Sequence, residues 1–251
     1  MELPRAWRRP DPLRGLAMTP WAELDRGAGV DHLLRGAAAG DPAACDGLER
    51  RLLDDDTVSE ASVHAVPFLA ELGASYRVPG AARDRVVFLL AGLALAGAGF
   101  TTGGRRTRRR WNALRRELPR VPPDWITQAR YAVAKDAPGV FDALAGAEVA
   151  CVLALAIAVP EVAPKHVADV AERIAFAGTH PQPLVDAAGV ALHLLLAGDT
   201  DDAWAYAVAQ GDPDLLHAYE NGGFPANQPP AVTVQLMGYR YARLAAYPVT
   251  P

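Results

Sequence analysis

The sequence predicts an all-α protein that is built from pairs of helices. Alanine and leucine dominate its 251 residues, and no strand-type alternation of apolar and polar side chains persists over six residues except near Val232–Leu236. Three segments, near residues 86, 149 and 187, carry almost only apolar side chains. Because a helix that is apolar on all sides must be covered on all sides, each of these is expected as the inner member of a pair whose other helix is amphipathic.

The pairing is clearest between residues 59 and 96. Apolar side chains recur at three-residue steps from Val63 to Leu72, whereas the segment Val86–Ala96 carries no polar side chain. A break at 73–80 separates the two segments. Pro67 lies inside the first, where a proline removes a backbone hydrogen bond and bends the helix. The unit is therefore predicted as a bent outer helix, a turn and an inner helix.

The chain before this unit is predicted as an arm followed by three helices. Residues 1–18 contain four arginines and three prolines without a helical period, which indicates a flexible N-terminal arm. Thr19 is a good N-cap and Pro20 suits the first helical position, so a helix is expected to begin there. Two more are expected at Val30–Ala39 and at Asp41–Leu53.

The segment Val66–Leu72, followed by a loop and by Arg83 at the start of an Ala/Leu-rich helix, resembles one HEAT-type repeat. A wider resemblance to bacterial cytosolic HEAT-repeat proteins covers residues 13 to 175, through Leu13–Leu16, Pro20–Asp25, Thr57–Leu72 and Trp125–Val159. It implies a HEAT/armadillo-like α-solenoid of degenerate helical pairs, in a family whose members mostly have no assigned activity. The chain departs from the family at Leu52–Asp56, where an aromatic residue and a His-Gln-Gly turn are expected, so a ligand shared at that turn is not implied.

The C-terminal half repeats the alternation of amphipathic and apolar helices. Helices are predicted at 124–136, 137–145, 147–159, 165–177, 183–197, 199–210 and 212–220. The chain is thus divided into the arm at 1–18, a HEAT-like helical repeat domain at 19–223 and a C-terminal capping tail at 224–251. The tail is expected to cover the last helix pair, and the alternative is that it lies along the concave surface.

Arginines cluster between the two halves, with seven in residues 105–116. One interpretation is a solvated helix face that docks through Trp111, and the other is a patch that binds an anion, a nucleic acid or a partner. The preceding glycine-rich segment, 97–110, fits neither a GxGxxG nor a Walker A loop. The candidate binding residues here are Arg105, Arg106, Arg108, Arg109 and Arg116.

The residues that carry most enzymatic chemistry form no recognisable set. The six histidines occur singly, no GxSxG elbow is present, and Cys45 and Cys151 lie in apolar contexts without CxxC spacing. Asp54–Asp56 lacks the glycine of an EF-hand loop. The sequence therefore predicts no catalytic residue, metal or cofactor. Because the N-terminus has no signal-type apolar region and Val149–Pro160 is shorter than the roughly 20 residues that a bilayer requires, we expect a cytoplasmic protein outside the membrane.

Two functions are predicted from these patterns. The favoured one is a non-catalytic scaffold that binds another protein or a peptide, of the toxin-neutralising (immunity) or complex-assembly type. The alternative is a nucleic-acid-binding HEAT-like protein related to DNA glycosylases, but residues 121–251 hold 6 basic and 14 acidic side chains, which would repel a duplex. The candidate surface aromatics are Trp125, Tyr219, Tyr239 and Tyr241.

Overall fold

The computed structural model describes residues 11–54, 57–96, 125–144, 148–177, 182–199, 202 and 230–247. These ranges contain nine α-helices and no strand; an isolated bridge joins Asp54 to Thr57. The all-α prediction is confirmed. The helices are α1 (Val30–Ala38), α2 (Pro42–Leu52), α3 (Glu60–Gly73), α4 (Gly80–Leu95), α5 (Trp125–Ala143), α6 (Val149–Ala158), α7 (Lys165–Ala177), α8 (Pro183–Ala197) and α9 (Pro230–Ala246).

The chain ahead of α1 is packed but barely helical. It forms two single 3-10 turns, Leu16–Met18 and Trp21–Glu23, and the ring N–H of Trp21 donates to the Leu16 carbonyl at 3.0 Å. The α-helix expected from Thr19 is not formed, because the backbone of Leu24 is already extended. Of the arm predicted at 1–18, the structure describes residues 11–18, where Leu16 is buried.

Capping side chains start the next helices. Asp41 accepts a hydrogen bond from the Ala43 N–H at 2.9 Å, which confirms it as the N-cap of α2. At the start of α3 the Ser59 N–H donates to Ser62 Oγ at 3.0 Å, and that hydroxyl donates to the Leu52 carbonyl at 2.7 Å. The buried Ser62 thus fixes the end of α2 against the beginning of α3.

The predicted unit at 59–96 is present as α3 and α4. The apolar stripe of α3 is buried from Val66 onward and Pro67 lies on its exposed side. Every residue of α4 from Val86 to its end is buried, because α2, α3, α5, α6 and α9 all pack against it. The helix that is apolar on all sides is therefore covered on all sides, as expected.

The helix end that the sequence predicts at Lys135–Asp136 is wrong. One helix runs from Trp125 to Ala143, where two had been expected. Its buried residues Ala129, Val133, Ala137 and Val140 keep a spacing of three or four across the supposed break, so one continuous face packs on α3 and α4. Pro138 is tolerated inside the helix because it lies on the exposed side.

Arg130 of α5 connects this helix to the C-terminal ends of α4 and α6. Arg130 Nη1 donates to the carbonyl of Ala158 at 2.7 Å and more weakly to that of Ala94 at 3.4 Å, at the C-terminal ends of α6 and α4. Its Nη2 reaches both carboxylate oxygens of Glu161, at 3.0 and 3.1 Å. A guanidinium is well placed there, because the last carbonyls of a helix lack backbone donors and carry partial negative charge.

Helices α6, α7 and α8 match the predicted segments closely, but the strand-type alternation at Val232–Leu236 lies inside a helix, α9. Helix α9 packs against α8, α6 and α4. The buried Gln235 donates to the Ile157 carbonyl at 2.9 Å. Several predictions fall outside the described residues: the arm at 1–10, the arginine segment with its glycine-rich loop and the Asp124 cap (97–124), the helices at 199–220 apart from residues 199 and 202, and both ends of the tail.

Candidate functional site

Of the residues that the sequence singles out, the structure describes Trp125, Tyr239 and Tyr241. Trp125 is half-buried at the start of α5, and Tyr239 is half-buried with its hydroxyl donating to the Phe88 carbonyl at 3.2 Å. Tyr241 is only 3 % exposed, so its prediction as a surface residue is wrong: it points into the core from α9. The five candidate arginines at 105–116 and Tyr219 lie outside the described ranges.

A groove of about 180 Å³ is formed where α9 returns to the N-terminal helices. Helix α4 lies between α2 and α9 and packs on both of them, so it supplies the floor while α2 and α9 supply the walls. Each helix contributes side chains at spacings of three or four residues, which places them on one face. They include Asp46 and Glu49 on α2, Phe88 and Leu89 on α4, and Tyr239 and Arg243 on α9.

Two ion pairs cross this groove. Arg85 of α4 pairs with Asp46 and also donates to the Pro42 carbonyl at 3.3 Å. Arg243 of α9 pairs with Glu49, which is 194 positions earlier in the chain. Burial opposes the charge on Arg243, but Tyr239 and Glu49 beside it raise its pKa above the ordinary value, so it stays cationic. The four charges cancel.

Two aromatic residues that line the groove, Phe88 and Tyr247, contact each other. The ring of Tyr247 meets Phe88 edge-on, with 5.4 Å between centroids, and the Arg85 guanidinium carbon lies 5.8 Å from its centroid. This cation–π contact and the Pro42 carbonyl hold Arg85 in place independently of Asp46.

An acidic cluster lies beside Tyr247, at the N-terminal ends of α4 and α6. Cys151 Sγ is 3.8 Å from the backbone oxygen of Asp84. Burial raises the pKa of the Asp84 carboxyl, although Arg83 acts in the opposite direction, and burial together with Asp84 raises the pKa of Glu148. Asp84 Oδ1 and Arg83 Nε are both buried without a hydrogen-bond partner. In such a cluster the neutral, protonated forms of the Asp84 and Glu148 carboxyl groups are favoured over their charged forms.

Both cysteines are buried free thiols. Burial raises the pKa of Cys151 and of Cys45 above the usual range, so neither is a ready thiolate nucleophile. Across the part of the chain that the structure describes, no three His, Cys, Asp or Glu side chains converge to hold a metal. None of the helices in that part has both the length and the apolar composition needed to cross a membrane.

A second surface feature was missed by sequence reasoning. Phe176 near the end of α7 is 77 % exposed, and its ring meets the edge of His193 on α8 with 5.4 Å between centroids. Leu196, which is 39 % exposed, lies one turn beyond His193 on the same face. We call Phe176, His193 and Leu196 the α7–α8 patch. His193 is half-buried within this patch.

A signal for this patch was present in the sequence. Phe176 falls in register with Lys165, Asp169 and Glu172, at helical steps of three or four, and this is the exposed stripe of α7. The presence of an aromatic residue in this otherwise polar stripe predicts an exposed aromatic side chain at the α7–α8 patch.

Comparison of the chain with models of protein families, with curated proteins and with solved structures finds no match, so the resemblance to HEAT-repeat proteins stays a prediction.

Proposed function

We propose that this chain is a non-catalytic helical scaffold that binds another protein or a peptide. Its helical pairs would be degenerate repeats of the HEAT-like solenoid type. The observation that carries the proposal is the α7–α8 patch, because Phe176 is a large rigid aromatic side chain that the fold leaves in solvent. Exposed aromatic residues of this kind supply much contact area while losing few rotamers, and they are enriched at the energetic centres of interfaces.

The surroundings of the patch suit a protein partner. Asp169, Glu172 and Arg173 are exposed on the same helix, so an apolar centre has a charged rim, which is the usual arrangement of a protein interface. Residues 121–251 carry a net charge of −8. A partner with basic side chains around an apolar anchor would therefore be attracted to this half of the molecule.

The apolar patch and the acidic charge around it also indicate the class of partner. A toxin to be neutralised or a subunit of a complex would present such a surface, and a bacterial cytoplasmic setting remains part of this proposal. The nucleic-acid alternative depends on residues 105–116, outside the described ranges. Arg130, in the described part, is engaged with Glu161 and with helix ends.

The test is affinity capture from native lysate with the variant Phe176→Ser. Its matched control is Met18→Ser, because Met18 is 86 % exposed on the N-terminal 3-10 turn and is not one of the patch residues. Both variants should keep the far-ultraviolet circular dichroism and melting temperature of the unchanged chain. We expect Phe176→Ser to lower recovery of the partner by about tenfold or more, as for a central interface residue, and Met18→Ser to leave it unchanged. Equal recovery with both variants would exclude this patch as the binding surface.

A further inference from the structure

We propose that the groove between α2 and α9 is a binding site for a small zwitterion, of the size and charge of a free α-amino acid. The ligand carboxylate would pair with Arg243 or Arg85, its ammonium with Glu49 or Asp46, and its side chain would lie on Phe88 and Leu89. This site is separate from the α7–α8 patch and does not depend on it.

The size of the groove limits the ligand. Its volume of about 180 Å³ is small for a binding pocket. Drug-sized ligands occupy about 300–1,000 Å³, so a molecule of that size is too large unless the helices move apart. An amino acid fits because it places two charged groups and a short side chain within this space.

The arrangement of charge selects a zwitterion. Asp46 and Glu49 are three residues apart on one face of α2, and each faces an arginine from a different helix. A purely anionic ligand would displace a carboxylate from its arginine and leave that carboxylate unpaired, and a cationic ligand would do the same to an arginine. These four side chains are 35–51 % exposed, so water screens part of the cost of an unpaired charge but does not remove it. A zwitterion can replace both partners of one pair and leaves the total charge of the groove unchanged.

Two side chains of the groove, Arg85 and Tyr239, are held by contacts other than the two ion pairs. Arg85 remains held by the Pro42 carbonyl and the Tyr247 ring when Asp46 turns away. Tyr239 is anchored by its hydrogen bond to the Phe88 carbonyl, which fixes the wall next to Arg243. Because these positions are set before binding, little ordering is needed when a ligand enters.

The first experiment uses the full chain without substitution. Free protein amino acids are titrated one at a time by isothermal calorimetry and thermal shift, up to about 10 mM, a limit that detects affinities near the millimolar range. For the best of them, the amine that lacks its carboxylate and the acid that lacks its amine are the matched ligands. We expect the amino acid to bind and both analogues to bind at least about tenfold more weakly. Absence of binding by every amino acid, or equal binding by either analogue, would overturn the proposal.

The second experiment locates the site. Arg243→Gln removes one of the two cations of the groove, and Arg26→Gln is the control, because Arg26 forms an ion pair of similar exposure with Asp54, at 3.3 Å, without lining the groove. We expect Arg243→Gln to weaken the amino acid by about tenfold or more and Arg26→Gln to leave it unchanged. If Arg243→Gln is unstable, Glu49→Gln tests the ammonium partner in the same way. Equal affinities of these variants and the control would place the ligand elsewhere and refute the assignment.

Discussion

Asp84 shows how a single residue can work against the fold that contains it. It belongs to the short polar start of α4, Arg83–Arg85. In the structure it faces α6, where Glu148, Cys151 and the nearby Tyr247 surround it, and its Oδ1 atom has no hydrogen-bond partner. Because burial raises its pKa, the folded state holds a proton on Asp84 more tightly than the unfolded state does.

The sign of the resulting pH dependence follows from this shift. The contribution of Asp84 to stability is greatest at pH values below its ordinary pKa of 3.8, falls as the pH rises, and levels off above its folded-state pKa. We therefore expect Asp84→Asn to raise the melting temperature at pH 7, by about 2–4 °C for about 1 kcal/mol. The gain should shrink as the pH is lowered. Asp142→Asn, on the exposed face of α5, is the control and should change little.

Differential scanning calorimetry of the two variants from pH 4 to pH 8 is the measurement. A melting temperature of Asp84→Asn below that of the unchanged chain at neutral pH would show that the carboxylate is stabilising. Desolvation would then not be the dominant effect on the charge of Asp84 in this cluster.

Arg130 is the opposite case, a charged residue that stabilises the fold. Arg130→Gln removes the ion pair of Nη2 with both carboxylate oxygens of Glu161 and the hydrogen bonds to two helix ends. Hydrogen bonds to charged groups contribute about 1.5–3 kcal/mol, so at about 2–4 °C for each kcal/mol we expect the melting temperature to fall by about 3–12 °C. Glu161→Gln should lower it less, because Arg130 keeps its carbonyl partners. Thermal unfolding measures both, and an equal effect of the two variants would show that the ion pair carries the contribution and the hydrogen bonds to the helix ends do not.

The roles of these residues could be predicted from sequence only where their partners are local. Asp41 is recognisable as a cap because it bonds Ala43, two positions away. Arg130 bonds Ala158 and Glu161, which are 28 and 31 positions away, and no spacing in the sequence relates them. The groove was missed for the same reason, since the partners of its ion pairs are 39 and 194 positions apart.

At the scale of the element, helices were predictable where burial is uniform and less so where local signals conflict with packing. Helix α4 was correctly bounded because an apolar segment of that length has few alternatives. Helix α5 was divided in error at the charged pair Lys135–Asp136, because a buried face continues from Val133 to Ala137 on the other side of the helix. Helix α9 was missed because its apolar residues follow strand-like alternation at the start, and packing on α6 and α8 decided the outcome.

Two glycines test how closely α9 is packed. A Cβ at Gly238 would lie 2.9 Å from Ile157 Cδ1 and 3.0 Å from Ala191 Cβ, whereas a Cβ at Gly139 on α5 would meet nothing within 4 Å. Alanine favours a helix over glycine by about 1 kcal/mol at either position. We therefore expect Gly139→Ala to raise the melting temperature by about 2–4 °C, and Gly238→Ala to lower it because α9 must shift away from α6 and α8. Equal stabilisation by both would show that α9 sits loosely on its neighbours.

The whole molecule is held together by contacts between distant parts of the chain. Glu49 of α2 and Arg243 of α9 form an ion pair, and α9 also packs on α8, α6 and α4. The sequence pattern indicates which face of each helix is apolar, but not which other helix covers it. The tail was expected to protect the last helix pair at 199–220. That pair lies outside the described ranges apart from residues 199 and 202, so its cover by the tail stays a prediction; the contacts described for the tail are those of α9 with α8, α6 and α4.

Truncation of the chain after Gly223 tests the importance of these contacts. It removes the side chains that α9 buries, among them Val234, Met237 and Tyr241, and uncovers the apolar faces of α6 and α8. Burial of one such side chain contributes about 1.5–3 kcal/mol, and the loss of several approaches the total stability of about 5–15 kcal/mol of a typical domain.

We therefore expect the truncated chain to lose cooperative unfolding, with a broad transition in calorimetry and binding of a hydrophobic dye at 25 °C. Arg243→Gln in the full chain is the control. It breaks the ion pair to α2 but keeps the apolar contacts of α9, so it should unfold cooperatively with a melting temperature lowered by only about 2–4 °C. A truncated chain that still melts in one sharp transition would show that α9 is an accessory, and that the remaining helices form a complete core without it.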